Sequence, residues 1–290
     1  MADRDRVLVD ALTLKRELAG SSPPTLLDIR WRLGDPSAYA RYQVAHLPHA
    51  IYVDLDRELA GPPNPAGGRH PLPELEDLQR AARRWGLRAG TSVVVYDDDG
   101  GLVAARAWWL LRWAGVNDVR LLDGGLDAWT AVGGDVFATA AELPTADGVL
   151  PQSGDVVLTP GRLPIVGPHD AAELARSGVL LDARAPERYR GDVEPVDARA
   201  GHIPGAVSAP ATANLADGRL LDDAALRARY AGLGVEEGRP VGAYCGSGVN
   251  AALTVLALAA VGIPAALYPG SWSAWSGDDD RPVVTGAYPG

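Results

Sequence analysis

The sequence predicts an α/β protein made of two similar domains, each a mainly parallel sheet flanked by helices. Its 290 residues are enough for one large domain or two domains of ordinary size. Short apolar runs alternate with helical patterns along both halves, which indicates βαβ units. Several motifs also occur twice in the same order, which indicates a duplicated domain.

Four pairs of matching motifs support the duplication, and the members of each pair lie roughly 146 to 156 positions apart. The pairs are LLDIR at 26–30 with LLDAR at 180–184, AHLPHA at 45–50 with GHIPGA at 201–206, VVVYD at 93–97 with VGAYC at 241–245, and DGGLDAW at 123–129 with PGSWSAW at 269–275. Chance similarity would not keep this order. We therefore predict domains at residues 1–140 and 161–290, joined at 141–160 by a linker rich in small residues, Gly and Pro.

The predicted elements follow from apolar patterning. Runs of four to six apolar residues bounded by Gly, Pro or Asp predict buried strands, at TLLDI, SVVVYD, VRLLD, VLLDA and PVGAYC. Helical patterns lie at 74–85, 104–114, 224–232 and 251–261. The charged start, MADRDRVLVDALTLKREL, predicts an amphipathic helix.

Composition narrows the class of protein. Hydrophobic residues make up 47% and charged residues 22%, as in soluble globular proteins. No apolar run approaches about 18 residues and the start lacks the apolar core of a secretory signal, so we expect no membrane span and a cytoplasmic location. The net charge of −10 argues against nucleic-acid binding. A single cysteine and five scattered histidines make no metal motif, and we expect no separate cofactor.

The single cysteine, Cys245, lies in the most informative stretch of the chain. A buried strand ends at Tyr244, a loop of small residues follows at 246–250, and an apolar helix begins near Ala251. Cys245 therefore lies at the carboxyl end of a parallel strand, where α/β sheets bind ligands. Glycines in the loop allow its N–H groups to turn towards the sulfur and stabilise an anion, whether thiolate or persulfide. A lone cysteine is ordinarily a small core residue, but this context favours a reactive one.

The first half provides an internal comparison. There the matching strand is followed by Asp97-Asp98-Asp99-Gly100-Gly101, with no cysteine. We expect this acidic loop not to hold an anion, and the first domain to be catalytically silent.

Two other cysteine chemistries can be tested against the sequence. A cysteine phosphatase needs an arginine six positions after the nucleophile to clamp phosphate, and that position is Ala251. A cysteine hydrolase needs a nearby histidine base, for which His202 is the candidate. Because His202 has a counterpart, His46, where no cysteine exists, a structural role that braces the turn is the favoured interpretation.

The run Cys-Gly-Ser-Gly-Val-Asn-Ala at 245–251 resembles the active-site loop of the tandem-domain rhodanese family, the thiosulfate and 3-mercaptopyruvate sulfurtransferases. The resemblance covers nearly the whole chain and includes both members of the Leu-Leu-Asp, His-Ile/Leu-Pro and Gly-Gly/Ser…Trp motif pairs. It implies two rhodanese-like domains, the second bearing the active cysteine. It also implies a ping-pong cycle in which a small anionic donor loads Cys245 with sulfur. Cyanide or a thiol, such as that of a thioredoxin-like protein, then removes the sulfur.

The resemblance also assigns residues to the site. Arg188 is similar to the substrate-binding arginine of the family, and Trp31 matches a tryptophan that reaches the active site from the first domain, although a plain domain-interface role fits Trp31 equally well. Asp182 and Arg184 form a supporting pair that we interpret as mainly structural. The resemblance implies that the donor contacts the loop residues Gly246, Ser247, Gly248, Val249 and Asn250.

Departures from the family pattern leave the donor open. The Gly246-Ser247 pair resembles the mercaptopyruvate branch, yet Val196 stands where that branch usually has a second arginine. Arg199 is the nearby candidate to replace it. Asn250 stands in place of a threonine or serine and can still donate a hydrogen bond towards the sulfur. Thiosulfate is slightly favoured because it needs no carboxylate clamp, and a rhodanese module that only relays persulfide to a protein partner is the alternative function.

Overall fold

The computed structural model describes residues 3–139 and 153–290. The chain forms two compact units. Unit 1 comprises Met1–Leu59, Pro73–Arg162 and Asp217–Arg219, and unit 2 comprises Ala60–Leu72, Leu163–Ala216 and Leu220–Gly290. The segment Ala60–Leu72 thus comes from the first half of the sequence and packs with the second unit.

Unit 1 is a parallel sheet flanked by helices. Its strands are β1 (Leu8–Val9), β2 (Thr25–Asp28), β3 (Ile51–Tyr52), β4 (Val93–Tyr96) and β5 (Val119–Leu122), in the order β1-β5-β4-β2-β3 with every pairing parallel. Its helices are α1 (Ala11–Leu18), α2 (Ala38–Val44), α3 (Leu55–Glu58), α4 (Leu75–Arg84), α5 (Ala104–Trp113) and α6 (Gly125–Ala131), with a 3₁₀ turn at Arg4–Arg6. The central strand β4 is buried throughout because α5 and other helices cover the faces of the sheet.

The start of the chain is a short strand followed by a helix, which differs from the prediction. We expected a single amphipathic helix, but helix α1 begins only at Ala11, where the Asp10 side chain accepts the Thr13 N–H at 2.9 Å. Before it, Leu8 and Val9 pair with β5 and are buried. Pairing with a distant strand thus overrides the local helical pattern.

Unit 2 repeats the architecture with fewer strands in its main sheet. The strands are β6 (Val179–Asp182), β7 (Val207–Ser208), β10 (Val241–Tyr244) and β11 (Ala266–Leu267), in the parallel order β11-β10-β6-β7, and a hairpin is formed by β8 (Leu215–Ala216) and β9 (Arg219–Leu220). The helices are α7 (Pro168–Ser177), α8 (Pro186–Arg190), α9 (Asp223–Gly232), α10 (Ala251–Ala260) and α11 (Ser271–Ser276), with a 3₁₀ turn at Ala211–Asn214. The predicted fold class is therefore confirmed.

Of the linker predicted at 141–160, residues 141–152 lie outside the described part of the chain. Residues 153–160 form no helix or strand, and they pack along unit 1, where Gly154 N–H donates to the Arg83 carbonyl and Val156 N–H to the Leu87 carbonyl. Among the described residues, no helix combines the length and the apolar character that crossing a bilayer requires.

Candidate active site

Cys245 lies directly after β10, between β11 and β6, at the carboxyl edge of the unit 2 sheet. It is 4% exposed. Its N–H donates to Ser271 Oγ at 3.1 Å, and its carbonyl accepts the Trp272 N–H at 2.9 Å. The strand and the start of α11 thus fix the cysteine backbone from two sides.

Residues 246–250, here called the Cys245 loop, curl back over the sulfur. The Gly248 N–H donates to Sγ at 3.2 Å, and Gly248 has φ +77°, a conformation that favours glycine. Other N–H groups of the loop have no protein acceptor in the part of the chain that the structure describes; they belong to Gly246, Ser247, Val249 and Asn250. The loop leads into the apolar, buried helix α10, whose first turn adds the positive end of its dipole. Such a cradle suits an anionic sulfur.

Arg188 lies beside this loop. A Cβ built on Gly246 would be 3.5 Å from Arg188 Nη1, so the guanidinium flanks the residue next to Cys245. Its Nη2 donates to Glu194 Oε1 at 2.6 Å and to Asp197 Oδ2 at 2.9 Å, and its Nε donates to Glu194 Oε2 at 3.3 Å. Burial opposes the charge of Glu194, but hydrogen bonds from Arg188 and from backbone N–H groups outweigh burial and lower the Glu194 pKa. A charged Glu194 therefore orients Arg188.

The structure adds a second cation that the sequence interpretation missed. Arg69, from the segment Ala60–Leu72, has Nη2 3.1 Å from the Cβ built on Gly246. Its Nη1 bonds to Asp197 Oδ1, and its backbone N–H donates to Ser273 Oγ at 3.1 Å. Burial raises the Asp197 pKa although Arg69 and Arg188 both favour its charged form. Asp197 therefore links the two guanidinium groups.

His70, the next residue, was also missed. Its Nδ1 lies 2.7 Å from Ser247 Oγ, and the two residues are 6% and 7% exposed. A hydroxyl held by an imidazole in a buried site can supply or accept a proton. One signal was available, since GGRH at 67–70 lies in a Pro- and Gly-rich stretch with no helical or strand pattern, and such long loops are often functional.

Arg184 and Asp182 form a buried pair beneath the site. Arg184 Nη2 donates to Asp182 Oδ2 at 2.6 Å and to the Gly201 carbonyl at 2.6 Å, and its guanidinium stacks 4.4 Å over Trp272. Burial disfavours the Arg184 charge, but Asp182 outweighs burial and raises the Arg184 pKa. With its donors occupied in this way, Arg184 fixes the turn after β6.

The two histidines of the repeated motif occupy matching positions. The ring of His202 stacks on Tyr189 at 3.7 Å and its Nδ1 lies 2.8 Å from the Tyr189 carbonyl. His46 makes the same contacts with Tyr42, at 4.1 and 2.9 Å. Because both units use the arrangement and only one has a cysteine, these contacts support the structural interpretation of His202.

Arg199 does not serve as the replacement cation that the sequence suggested. Its guanidinium donates to backbone carbonyls around the end of α11, those of Trp275, Ser276, Asp278 and Arg281, at 2.5 to 3.1 Å. The prediction for Arg199 was therefore wrong, since this side chain ties down the C-terminal segment.

The remaining site residues are positioned as follows. Asn250 precedes α10, and its side chain makes no hydrogen bond to another described residue, so the sulfur receives its hydrogen bond from Gly248 instead. Trp31 lies in unit 1, where its Nε1 donates to Asp56 at 3.0 Å, and its supporting role stays a prediction. Among the described residues, no group of three or more His, Cys, Asp or Glu side chains is arranged to hold a metal ion.

Known proteins resemble the chain over its whole length. The Rhodanese-like domain family matches residues 10–132 and again 168–278. A Mycobacterium tuberculosis protein provisionally named thiosulfate sulfurtransferase SseB is 46% identical over 99% of both chains. A Pseudomonas aeruginosa protein provisionally named 3-mercaptopyruvate sulfurtransferase is 46% identical over 95% of this chain and 98% of its own.

A solved structure agrees with these sequence relatives. The Escherichia coli 3-mercaptopyruvate sulfotransferase SseA superimposes with a TM-score of 0.74 and 31% identity, covering 92% of this chain and 98% of that one. The matches extend over both halves and over the repeated motifs. The chain therefore belongs to the tandem-domain rhodanese family, the thiosulfate and 3-mercaptopyruvate sulfurtransferases.

Proposed function

We propose that this sulfurtransferase moves sulfane sulfur from a small anionic donor, thiosulfate or 3-mercaptopyruvate, to cyanide or a thiol through a persulfide on Cys245. Unit 2 supplies the chemistry and unit 1 is catalytically silent. The observation that carries the proposal is the Cys245 loop. It combines a buried thiol at a strand end, a Gly248 N–H on the sulfur and an arginine beside the next residue.

Loading breaks the bond between the donor's outer sulfur and the rest of the donor. With thiosulfate, the Cys245 thiolate attacks the outer sulfur, a new S–S bond forms, and the old S–S bond leaves with its electron pair as sulfite. With 3-mercaptopyruvate, the C–S bond breaks, its electron pair goes to carbon, and the thiol proton ends on that carbon to give pyruvate. Both routes leave the same anionic persulfide, which the loop N–H groups stabilise.

Unloading returns the enzyme to its starting state. Cyanide attacks the outer sulfur of the persulfide and leaves as thiocyanate, while the electron pair of the S–S bond restores the Cys245 thiolate. A thiol, including that of a thioredoxin-like protein, attacks the same atom and carries the sulfur away as a persulfide. The cytoplasm is the compartment that we propose for this transfer, because thiols are kept reduced there.

The pair of His70 and Ser247 bears on the choice of donor. Sulfite leaves as a stable anion, whereas the pyruvate carbanion must be protonated. Ser247 Oγ, held 2.7 Å from His70 Nδ1 and one residue beyond Gly246, is suited to pass that proton. The sequence alone slightly favoured thiosulfate, whereas this contact favours 3-mercaptopyruvate.

The test measures loading and turnover separately. Intact-mass measurement after one exposure to each donor should show an addition of one sulfur atom to the wild-type chain and none to Cys245→Ser. Steady-state thiocyanate formation at fixed cyanide should then continue through many turnovers. Loading without turnover for cyanide or small thiols would instead support a relay module that serves a protein partner, and the absence of loading would refute the proposal.

A further inference from the structure

Two guanidinium groups approach the Cys245 loop at the same residue. The Cβ built on Gly246 would lie 3.1 Å from Arg69 Nη2 and 3.5 Å from Arg188 Nη1. We infer that Arg69 is the second donor-binding cation of the site, in place of the arginine that Val196 replaces, and that it binds the carboxylate of an α-keto-acid thiol, 3-mercaptopyruvate. The inference rests on the sulfurtransferase function proposed above.

The position of Arg69 is fixed by a shared carboxylate. Asp197 accepts from Arg69 Nη1 on one oxygen and from Arg188 Nη2 on the other, and its side chain is 3% exposed. The acid thereby fixes the two arginines side by side and offsets part of their mutual repulsion. It leaves the other edge of each guanidinium directed to the loop.

The donors that remain on this edge are suited to an anion. Arg69 Nε is buried and has no hydrogen-bond partner among the described residues. Neither Arg69 Nη2 nor Arg188 Nη1 donates to another described residue. A buried donor without a partner costs free energy, which a ligand carboxylate would recover on binding. The planar fork of arginine matches a carboxylate in two parallel hydrogen bonds.

Arg199 in the same unit shows what a purely structural arginine looks like. Its nitrogens donate to four backbone carbonyls, and none of them is a buried donor without a partner among the described residues. Arg69 differs in both respects. Its side chain donates to a single carboxylate, that of Asp197, and its Nε is a buried donor beside the loop without a partner among the described residues. A role in holding Asp197 alone would not account for that donor.

The chemistry of the donors explains why Arg69 should distinguish them. In thiosulfate the anionic sulfonate is bonded directly to the transferred sulfur, so loop N–H groups and Arg188 lie near it. In 3-mercaptopyruvate two carbons separate the sulfur from the carboxylate, which therefore extends past the loop. A second guanidinium beside Gly246 is the group that can meet it.

The experiment compares both donors in one variant. Arg69→Gln should lower kcat/KM for 3-mercaptopyruvate by roughly tenfold to a hundredfold, mainly through KM, because a charge-assisted pair is lost. The kcat/KM for thiosulfate should change by less than about threefold. The matched control is Arg176→Gln, which removes an exposed arginine of the same unit and should leave both donors unchanged. Equal losses for both donors, or no loss for either, would overturn the inference.

A second pair of measurements separates this inference from the proposed function and from misfolding. Thiosulfate activity in Arg69→Gln reports that the site is still assembled. Adding Val196→Arg to Arg69→Gln returns a cation to the position used in the mercaptopyruvate branch and should restore at least part of the lost activity with 3-mercaptopyruvate. If the wild type loads sulfur on Cys245 and Arg69→Gln loads it equally fast from 3-mercaptopyruvate, the role of Arg69 fails while the sulfurtransferase function stands.

Discussion

The loops after β4 and β10 occupy matching positions in the two units. They differ in the groups that accept hydrogen bonds from their backbone N–H groups. In unit 1 the carboxylate of Asp97 accepts N–H groups from its own loop and from the start of α5, those of Asp99, Gly101, Val103 and Ala104, at 2.7 to 2.9 Å. In unit 2 the Gly248 N–H donates to the Cys245 sulfur and several other loop N–H groups have no protein acceptor among the described residues. One cradle is filled by its own side chain, and the other can receive a ligand.

This arrangement is consistent with the expectation that the acidic loop holds no anionic ligand, because its N–H groups already donate to the fully buried Asp97 side chain. Burial raises the Asp97 pKa, although these N–H groups favour its charged form. Because a carboxylate extends one atom beyond a thiol and has two acceptor oxygens, it reaches N–H groups that the sulfur of Cys245 does not. The Asp97 side chain therefore fills the loop of unit 1, whereas the Cys245 loop of unit 2 is open to a ligand.

The largest effect should come from removing the sulfur. Cys245→Ser should lower transfer by at least about a thousandfold with either donor, because an alkoxide is not available to replace the thiolate. Thermal unfolding should stay close to wild type, since the hydroxyl fits the same space. Steady-state assays and calorimetry check this, and appreciable residual turnover would contradict the assignment of Cys245.

Removing the Asp97 carboxyl group from unit 1 should lower the stability of the protein and not its sulfurtransferase activity. Asp97→Ala leaves four N–H groups without their acceptor and should lower the free energy of unfolding by about 2–4 kcal/mol. Asp99→Ala, an exposed neighbour, is the control and should cost less than about 0.5 kcal/mol. Denaturant titration measures both. A large loss of turnover in Asp97→Ala without a loss of stability would show that unit 1 is not silent.

The two loops also differ in a cation, since backbone N–H groups alone hold the Asp97 side chain in unit 1, whereas Arg188 lies beside the Cys245 loop in unit 2. Arg188→Ala should lower kcat/KM by roughly tenfold to a hundredfold with both donors. The free energy of unfolding should fall by only about 1 kcal/mol, because Glu194 remains paired with Arg184 and Asp197 remains paired with Arg69. Arg190→Ala, two residues away and paired with Asp192, is the matched control. Parallel losses of activity and stability would mark Arg188 as structural.

The sequence predicted the parts of this molecule that depend on local pattern. The strand ending at Tyr244, the small-residue loop and the apolar helix after it were all visible in one short stretch, and so was the position of Cys245. It missed Arg69 and His70 because they come from Ala60–Leu72, a segment of the first half of the sequence that packs with unit 2. It also mistook Leu8–Val9 for helix, because the partner strand lies more than a hundred residues away.

The smallest effect that we predict concerns proton transfer to the leaving carbon of 3-mercaptopyruvate. It tests whether the site at the Cys245 loop is specialised for one donor. Ser247→Ala should lower turnover with 3-mercaptopyruvate by about tenfold, since the buried hydroxyl at His70 no longer passes a proton to the leaving carbon. Thiosulfate should be nearly unaffected because sulfite leaves without a proton. The control is Ser177→Ala, which removes an exposed hydroxyl of the same unit that donates to the Glu173 carbonyl. If Ser247→Ala slowed both donors equally, Ser247 would act on the sulfur or the loop itself, and the two donors would share one rate-limiting step.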